Sequence, residues 1–443
     1  MQMCLRTVLA KTGFLFVILF VCLIAGCSKK DSSDTGSAKS KTGAASETEV
    51  LFKGKRKLLP DEYAIDAAGG YIYVQTDSYR GKGIVFGCDD AVTEAVIPKE
   101  VNGITITEID SNVFKNCKGL KSVEIPDGMT TIGDKAFISC SSLESIVIPD
   151  SVTDIGSDAF ANCSGLLSAS LSKNLESIAS YSFQNCTSLR SIEIPEGVTT
   201  IGIAAFDKCT SLEKVVVPDS VTKIWYSAFR DCSSLSDVTL SENLQNIDAN
   251  LFASCSSLKS VEIPESVTII SEHAFEGCSS LESVVIPDSV TEISREAFSN
   301  CTSLKSVKIP GSVLNVEDFA FEECSALEKL TLENGVESIH DLAFQNCSSL
   351  TEVMLPATLQ FLGLSGNAFS GCTALKAFTV DPENAVFTSV DGVLFEKEGM
   401  TLAAYPGEME KKNQELLPPA LKEKTITLEN AGQKPDLNVL RAK

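Results

Sequence analysis

Along most of this chain the apolar positions obey one spacing, 23 residues. A phenylalanine recurs at that interval from Phe114 to Phe344, with Phe369 one slightly stretched step later, and a cysteine stands three positions after each, from Cys117 to Cys372. The segment Leu143 to Cys163 shows the unit at its clearest. Ile146 and Ile148 alternate with Ser145 and Val147, a period of two that predicts a short strand with the isoleucines pointing inward. Pro149 ends the strand because it cannot donate to a ladder, and Asp150-Ser151 supplies turn chemistry. Val152 and Ile155 form a second short apolar pair, and Ala159-Phe160 falls in a short irregular or helical turn on the opposite side. Each interval therefore reads as strand, turn, short strand, turn. One such unit cannot bury its own apolar side, so the units must stack into a solenoid.

The repeated text C-S-S-L-E-S-V-x-I-P-D-S-V-T-x-I-G-x-x-A-F extends over about residues 92–382. Twelve units begin at Leu120, Leu143, Leu166, Leu189, Leu212, Leu235, Leu258, Leu281, Leu304, Leu327, Leu350 and Leu375. A thirteenth, before them, starts near Val92 and carries an insertion around Asn102 to Ile106. This pattern resembles the leucine-rich repeats of the BspA-like, or Treponema pallidum, type found in bacterial surface proteins. The resemblance implies a leucine-rich repeat solenoid, mostly β with short irregular or helical turns, of about 13 coils of 23 residues with a parallel sheet on the concave face. It also implies an adhesin-like protein that binds a protein or other macromolecule on a host or bacterial surface. Fold alone does not dictate function, and a structural or assembly scaffold within the cell envelope, with no host ligand, is the alternative expectation.

The ends depart from the repeat. Arg6 and Lys11 precede the apolar run Gly13 to Ile24, which is too short for a confident membrane span. The following Leu23-Ile24-Ala25-Gly26-Cys27 resembles the lipobox of bacterial lipoproteins. Residues 1–26 are thus expected to be a lipoprotein signal peptide, and Cys27 to carry the lipid that is the chain's sole attachment to a membrane. The expected location is an exported, membrane-anchored lipoprotein, at the cell surface in preference to facing the periplasm. Residues 27–49 read as a flexible tether rich in Ser, Lys, Thr and Gly, and 50–91 as an N-terminal cap with short strands around Tyr71 to Val74 and Ile84 to Phe86. Residues 383–406 resemble a hairpin module turning at Asp391-Gly392, and 407–443, without repeat phase, are expected to be disordered.

Charge narrows the range of partners. With 59 acidic against 37 basic residues the net charge is -22, which argues against nucleic acid, where Lys and Arg must neutralise phosphates. Cys88 and the periodic cysteines are expected to form a column of buried thiols, although pairing between adjacent coils is geometrically open. No C-x-x-C pair suggests zinc, and no catalytic or phosphate-binding motif is present. His273 and His340 fall at different phases of the repeat and read as exposed loop residues, while Asp381, Glu383, Asn384 and Asp391 read as turn chemistry. No enzyme, cofactor or metal is therefore expected. What remains is the outward strand column. Its candidate contact residues are Glu124, Val147, Glu193, Val216, Thr239, Glu262, Val285 and Lys308, joined on the turn side by Trp225 and Tyr226, for which packing against a neighbouring loop is the alternative expectation.

Overall fold

Alternation within each interval produces a strand of two to four residues. In Ser145–Val147 the two end side chains are exposed and Ile146 is buried. The second apolar pair gives a two-residue strand such as Asp154–Ile155, which buries Ile155. Both strands pair in parallel with their equivalents one coil away: Ser145 lies against Ser168, and Thr131 against Asp154. Two series of parallel sheets therefore follow the stack, one from each strand type, the long strands pairing without a break from Ser145–Val147 to Asp237–Thr239 and again from Ser260–Glu262 to Lys329–Leu332. In this computed structural model residues 51–52, 56–398 and 401–404 are described. All fall in one compact unit, Glu49–Lys443. The expected signal peptide, Cys27, the tether and the 407–443 tail lie outside the described residues. The result is a parallel β-solenoid of about 13 turns with almost no helix; one 3-10 helix, Leu364–Phe369, occurs among the described residues.

Each coil closes through a turn bearing Phe and Cys, and that turn uses two left-handed residues, such as Asp158 (φ 56°) and Asn162 (φ 61°). Short polar side chains tolerate this conformation best. Between these two residues the phenylalanine points inward. The twelve rings from Phe114 to Phe369 stack nearly face to face, with centroids 4.9–5.7 Å apart and planes within 3–15° of parallel. Phe378 ends the column edge-on, at 5.6 Å and 69°.

Beside the rings runs the column of buried cysteines, and none from Cys140 to Cys372 forms a disulfide. Each of these thiols donates to the carbonyl of the preceding coil's phenylalanine, from Cys140 Sγ to Phe114 O through Cys372 Sγ to Phe344 O, at 3.0–3.3 Å. The cysteine is thus more than a small hydrophobe, because its thiol gives a second donor to a buried carbonyl that already accepts from a backbone amide in its own turn, as Phe206 O does from the Cys209 amide at 3.1 Å. Burial pushes the Cys278 and Cys324 thiols from 9.0 up to about 12, and the backbone amide of the preceding cysteine pulls each partly back.

The N-terminal end is covered by an antiparallel meander, Glu62–Ala67, Gly70–Asp77 and Lys82–Cys88. Its last strand pairs in parallel with Ile104–Ile109, which pairs with Thr131–Ile132, so the meander extends the short-strand ladder. A bridge from Ala68 to Glu94 ties it to the long-strand ladder as well. The insertion in the first coil is a hairpin, Glu100–Val101 against Ile104–Ile109, turning at Asn102-Gly103 with both residues at positive φ. At the other end, Phe387–Val390, Val393–Glu396 and Thr401–Ala404 form an antiparallel sheet whose first turn is Asp391-Gly392, again both at positive φ. Asn384 fastens this module: fully buried, it donates to Pro356 O and Leu359 O and accepts from the amides of Val386 and Phe387.

Candidate binding surface

Every outward residue singled out on the long strands is exposed: Glu124, Val147, Glu193, Val216, Thr239, Glu262, Val285 and Lys308. The parallel register puts them in one column, one strand spacing apart. Apolar members of that column are not scattered. Val147, Val216, Val285 and Met354 are 65, 46, 72 and 58 % exposed, and each lies 69 residues, three coils, from the next. Glu124, Glu193 and Glu262 follow the same spacing one coil earlier. One row over, the pairs Lys121 and Glu144, Arg190 and Glu213, and Lys259 and Glu282 repeat it again.

The interior obeys this three-coil register too. Ser172 and Ser241, 69 residues apart, stand where most coils have the strand-ending proline. Both are buried, and each hydroxyl donates at 2.6 Å, to Val152 O and Val221 O respectively. Reading the sequence coil by coil misses this higher order. Reading down each column would have found it.

Ion pairs across neighbouring coils set the charge of the face. Lys214 Nζ is 2.6 Å from Asp237 Oδ2, Lys305 Nζ is 2.8 Å from Glu282 Oε2, and Lys308 Nζ is 2.8 Å from Glu333 Oε1. The Lys305 ammonium, by hydrogen bond and charge, holds the Glu282 carboxyl below its ordinary range. These pairs are solvated and screened, so they order the face more than they stabilise it. No aromatic residue stands in the column of Glu124 to Met354, which leaves valine and methionine as its apolar contacts.

On the turn side Trp225 and Tyr226 are both exposed. The Lys223 ammonium lies 4.9 Å from the centre of the Trp225 ring while also binding Asp248 Oδ1 at 2.8 Å, a cation–π contact that holds the indole against its own coil. The small Ala204 separates Tyr181 and Tyr226 in the coil between them, and the two phenols interact: burial first, then Tyr226, pushes the Tyr181 phenol up. Behind them Asp207, wholly buried, is held by Arg230 Nε at 2.8 Å and Gln184 Nε2 at 3.0 Å, a clamp over three consecutive coils.

Two expectations about polar residues need restating. His273 and His340 are half-buried rather than exposed, because their turns are flanked by coils on both sides. Asp381 does act as a turn residue, accepting from the Glu383 amide, while Asn384 is a buried fastener.

The geometry agrees with what the chain is similar to. The family model described as "BspA type Leucine rich repeat region" matches residues 85–211, 155–282 and 268–399. A solved leucine-rich repeat protein from Bacteroides ovatus shares the fold at 24 % identity and a TM-score of 0.53, covering 72 % of this chain and 89 % of that one. A leucine rich cell surface protein from Faecalibacterium prausnitzii matches at 25 % identity and a TM-score of 0.40, covering 72 % and 95 % of the two chains. The leucine-rich repeat protein of T. pallidum matches at 24 % identity and a TM-score of 0.33, covering 55 % and 91 %. No curated protein matches the sequence.

Proposed function

The chain belongs to the BspA type leucine-rich repeat family, and from that premise we propose that it is a non-catalytic, surface-displayed binding protein with an adhesin-like role. The observation that carries this reading is the outward strand column, where exposed Val147, Val216, Val285 and Met354 recur every three coils among carboxylates and small polar residues. At one strand spacing per coil the interval is roughly 14 Å. An extended macromolecule lying along the stack meets the same contact several times, and repeated weak contacts on one rigid support add up to avidity. Without aromatic anchors each contact is modest, so affinity depends on how many coils are engaged.

Display is part of the same proposal. Cys27, placed directly behind the apolar run and Ala25-Gly26, would carry lipid and tether the solenoid through 27–49. Growth in radiolabelled palmitate should label the wild type, and Cys27→Ser should be unlabelled and released from membranes. An unlabelled wild type refutes the anchor.

The decisive experiment presents the full chain to host matrix and to envelope extracts in parallel, with the triple variant Val147→Glu, Val216→Glu, Val285→Glu as control. Capture of a matrix or bacterial surface macromolecule that the variant loses supports the reading. Equal capture by both chains removes the strand column from it. Protection of the wild type from protease added to intact cells replaces surface adhesion with a scaffold inside the envelope.

A further inference from the structure

His273 and Glu296 occupy the same position in consecutive coils, the first of the two left-handed residues, and share a φ of 56°. Stacking in register therefore brings their side chains together from sequence positions 23 apart. Glu276, three residues after His273, reaches the same point from the far side of the turn. His273 Nδ1 lies 3.1 Å from Glu276 Oε2 and 3.3 Å from Glu296 Oε2, and the three donor atoms all fall within 4.8 Å of one another. All three residues are half-buried.

Proximity here is not hydrogen bonding. His273 Nδ1 is sealed from solvent, yet neither carboxylate meets it at a hydrogen-bonding angle, which leaves it without a partner. Two carboxylate oxygens gathered about one buried imidazole nitrogen repel each other, so the arrangement calls for a positive charge among the three atoms. Zinc ligated by imidazole and carboxylate sits about 2.0 to 2.2 Å from each donor, which places tetrahedral donors roughly 3.3 to 3.5 Å apart. Two of the three separations already approximate that value.

The neighbouring charges are compatible with a cation. Arg295 Nε binds Glu296 Oε1 at 2.9 Å, and its guanidinium lies 5.2 Å from the centre of the Phe319 ring, so Arg295 occupies one oxygen and leaves Oε2 turned to the histidine. Glu272 and Asp318 lie near that guanidinium. Glu322, one coil further on, accepts from the Ser299 hydroxyl and has its carboxyl pushed up by burial and then by Glu296 and Glu323, a sign of crowded negative charge. His340 provides the contrast: its Nδ1 is 3.9 Å from Glu317 alone and its ring lies against Phe361.

We propose that His273, Glu276 and Glu296 bind one divalent transition-metal ion of the zinc class, which staples two consecutive coils and completes its coordination with water. A nitrogen and two carboxylates favour such an ion over magnesium or calcium, which take all-oxygen sets. Titration calorimetry on the full chain, stripped with chelator and then given zinc chloride or magnesium chloride, tests this directly. One zinc per chain is expected, with affinity at least tenfold lower in His273→Gln and in Glu296→Gln, unchanged in His340→Gln, and no response to magnesium. Glu276→Gln, at the most exposed of the three positions, serves if the other variants fail to fold. The proposal is overturned if the wild type takes up no zinc, or if uptake is insensitive to His273→Gln, as binding by cysteine thiols would be. It is equally overturned if nitrogen-15 spectra show a protonated His273 imidazole at neutral pH that zinc cannot displace, a proton then holding the carboxylates together.

Discussion

Ile146 and Val147 are neighbours on one strand, and they illustrate the two faces of the whole molecule. The inward side chain belongs to a column that stays apolar from coil to coil, passing only through Val, Ile, Ala and Leu from Val123 to Val353; the outward one belongs to a column that passes through Glu, Val, Ser, Thr, Lys and Met. Both columns have the same spacing and the same backbone. The difference teaches that the ladder demands apolar side chains only where they meet their counterparts across a dry interior. Where they meet water, the identical geometry presents whatever chemistry the surface requires.

Alkali should break the inner face most completely. A thiol that the fold keeps protonated gives its full stabilisation below the unfolded-chain value of 9.0, and that stabilisation is lost as the pH rises toward about 12, where Cys278 and Cys324 titrate in the folded chain. Each such thiol costs about 1.4 kcal/mol per pH unit within that window. Circular dichroism should therefore show a steep, cooperative loss of structure above pH 9, and replacing Cys278 and Cys324 by Ala should make it shallower. A slope unchanged in that double variant would remove the thiols as the cause.

A single ring comes next. Phe229→Ala should cost roughly 3 to 5 kcal/mol in denaturant unfolding, since the gap lies between Phe206 and Phe252, which cannot close over it without shifting the ladders. A near-zero change would mean that the rings are not the spine of the stack. Smaller still, Cys232→Ala should cost about 1 kcal/mol, because the carbonyl of Phe206 loses its thiol donor but keeps the Cys209 amide, with Cys232→Ser milder because its hydroxyl still donates. If Ser and Ala behave alike, the thiol matters for its volume and not its proton. On the outer face Val285→Ser should change stability by no more than about 0.5 kcal/mol while weakening capture of a ligand. A large stability loss there would erase the contrast between the faces.

Much of this was legible before any coordinates. Thirteen copies of one text make a period unmistakable, and proline after Ile148 with Asp150-Ser151 behind it marks strand and turn without tertiary information. The thiol donors were not legible, because whether Cys140 reaches the carbonyl of Phe114 depends on how tightly the turn folds. The three-coil register was present in the letters but only along columns, at right angles to the direction in which repeats are aligned. His273 escaped for a related reason: neither histidine has a histidine at its own position one coil away, and a search limited to like residues overlooks Glu296 standing there.

The column of buried cysteines has a consequence for motion. Every coil from Cys140 to Cys372 holds one thiol behind closed backbone, and a thiol reacts with an alkylating reagent only when its coil opens. The molecule thus contains a row of reporters at single-coil resolution. In a one-dimensional stack each coil is supported by two neighbours, and those nearest the ends open first. The order in which Cys140, Cys255 and Cys372 become labelled would then record whether the solenoid frays from its meander, from its C-terminal sheet or from a weak coil between them.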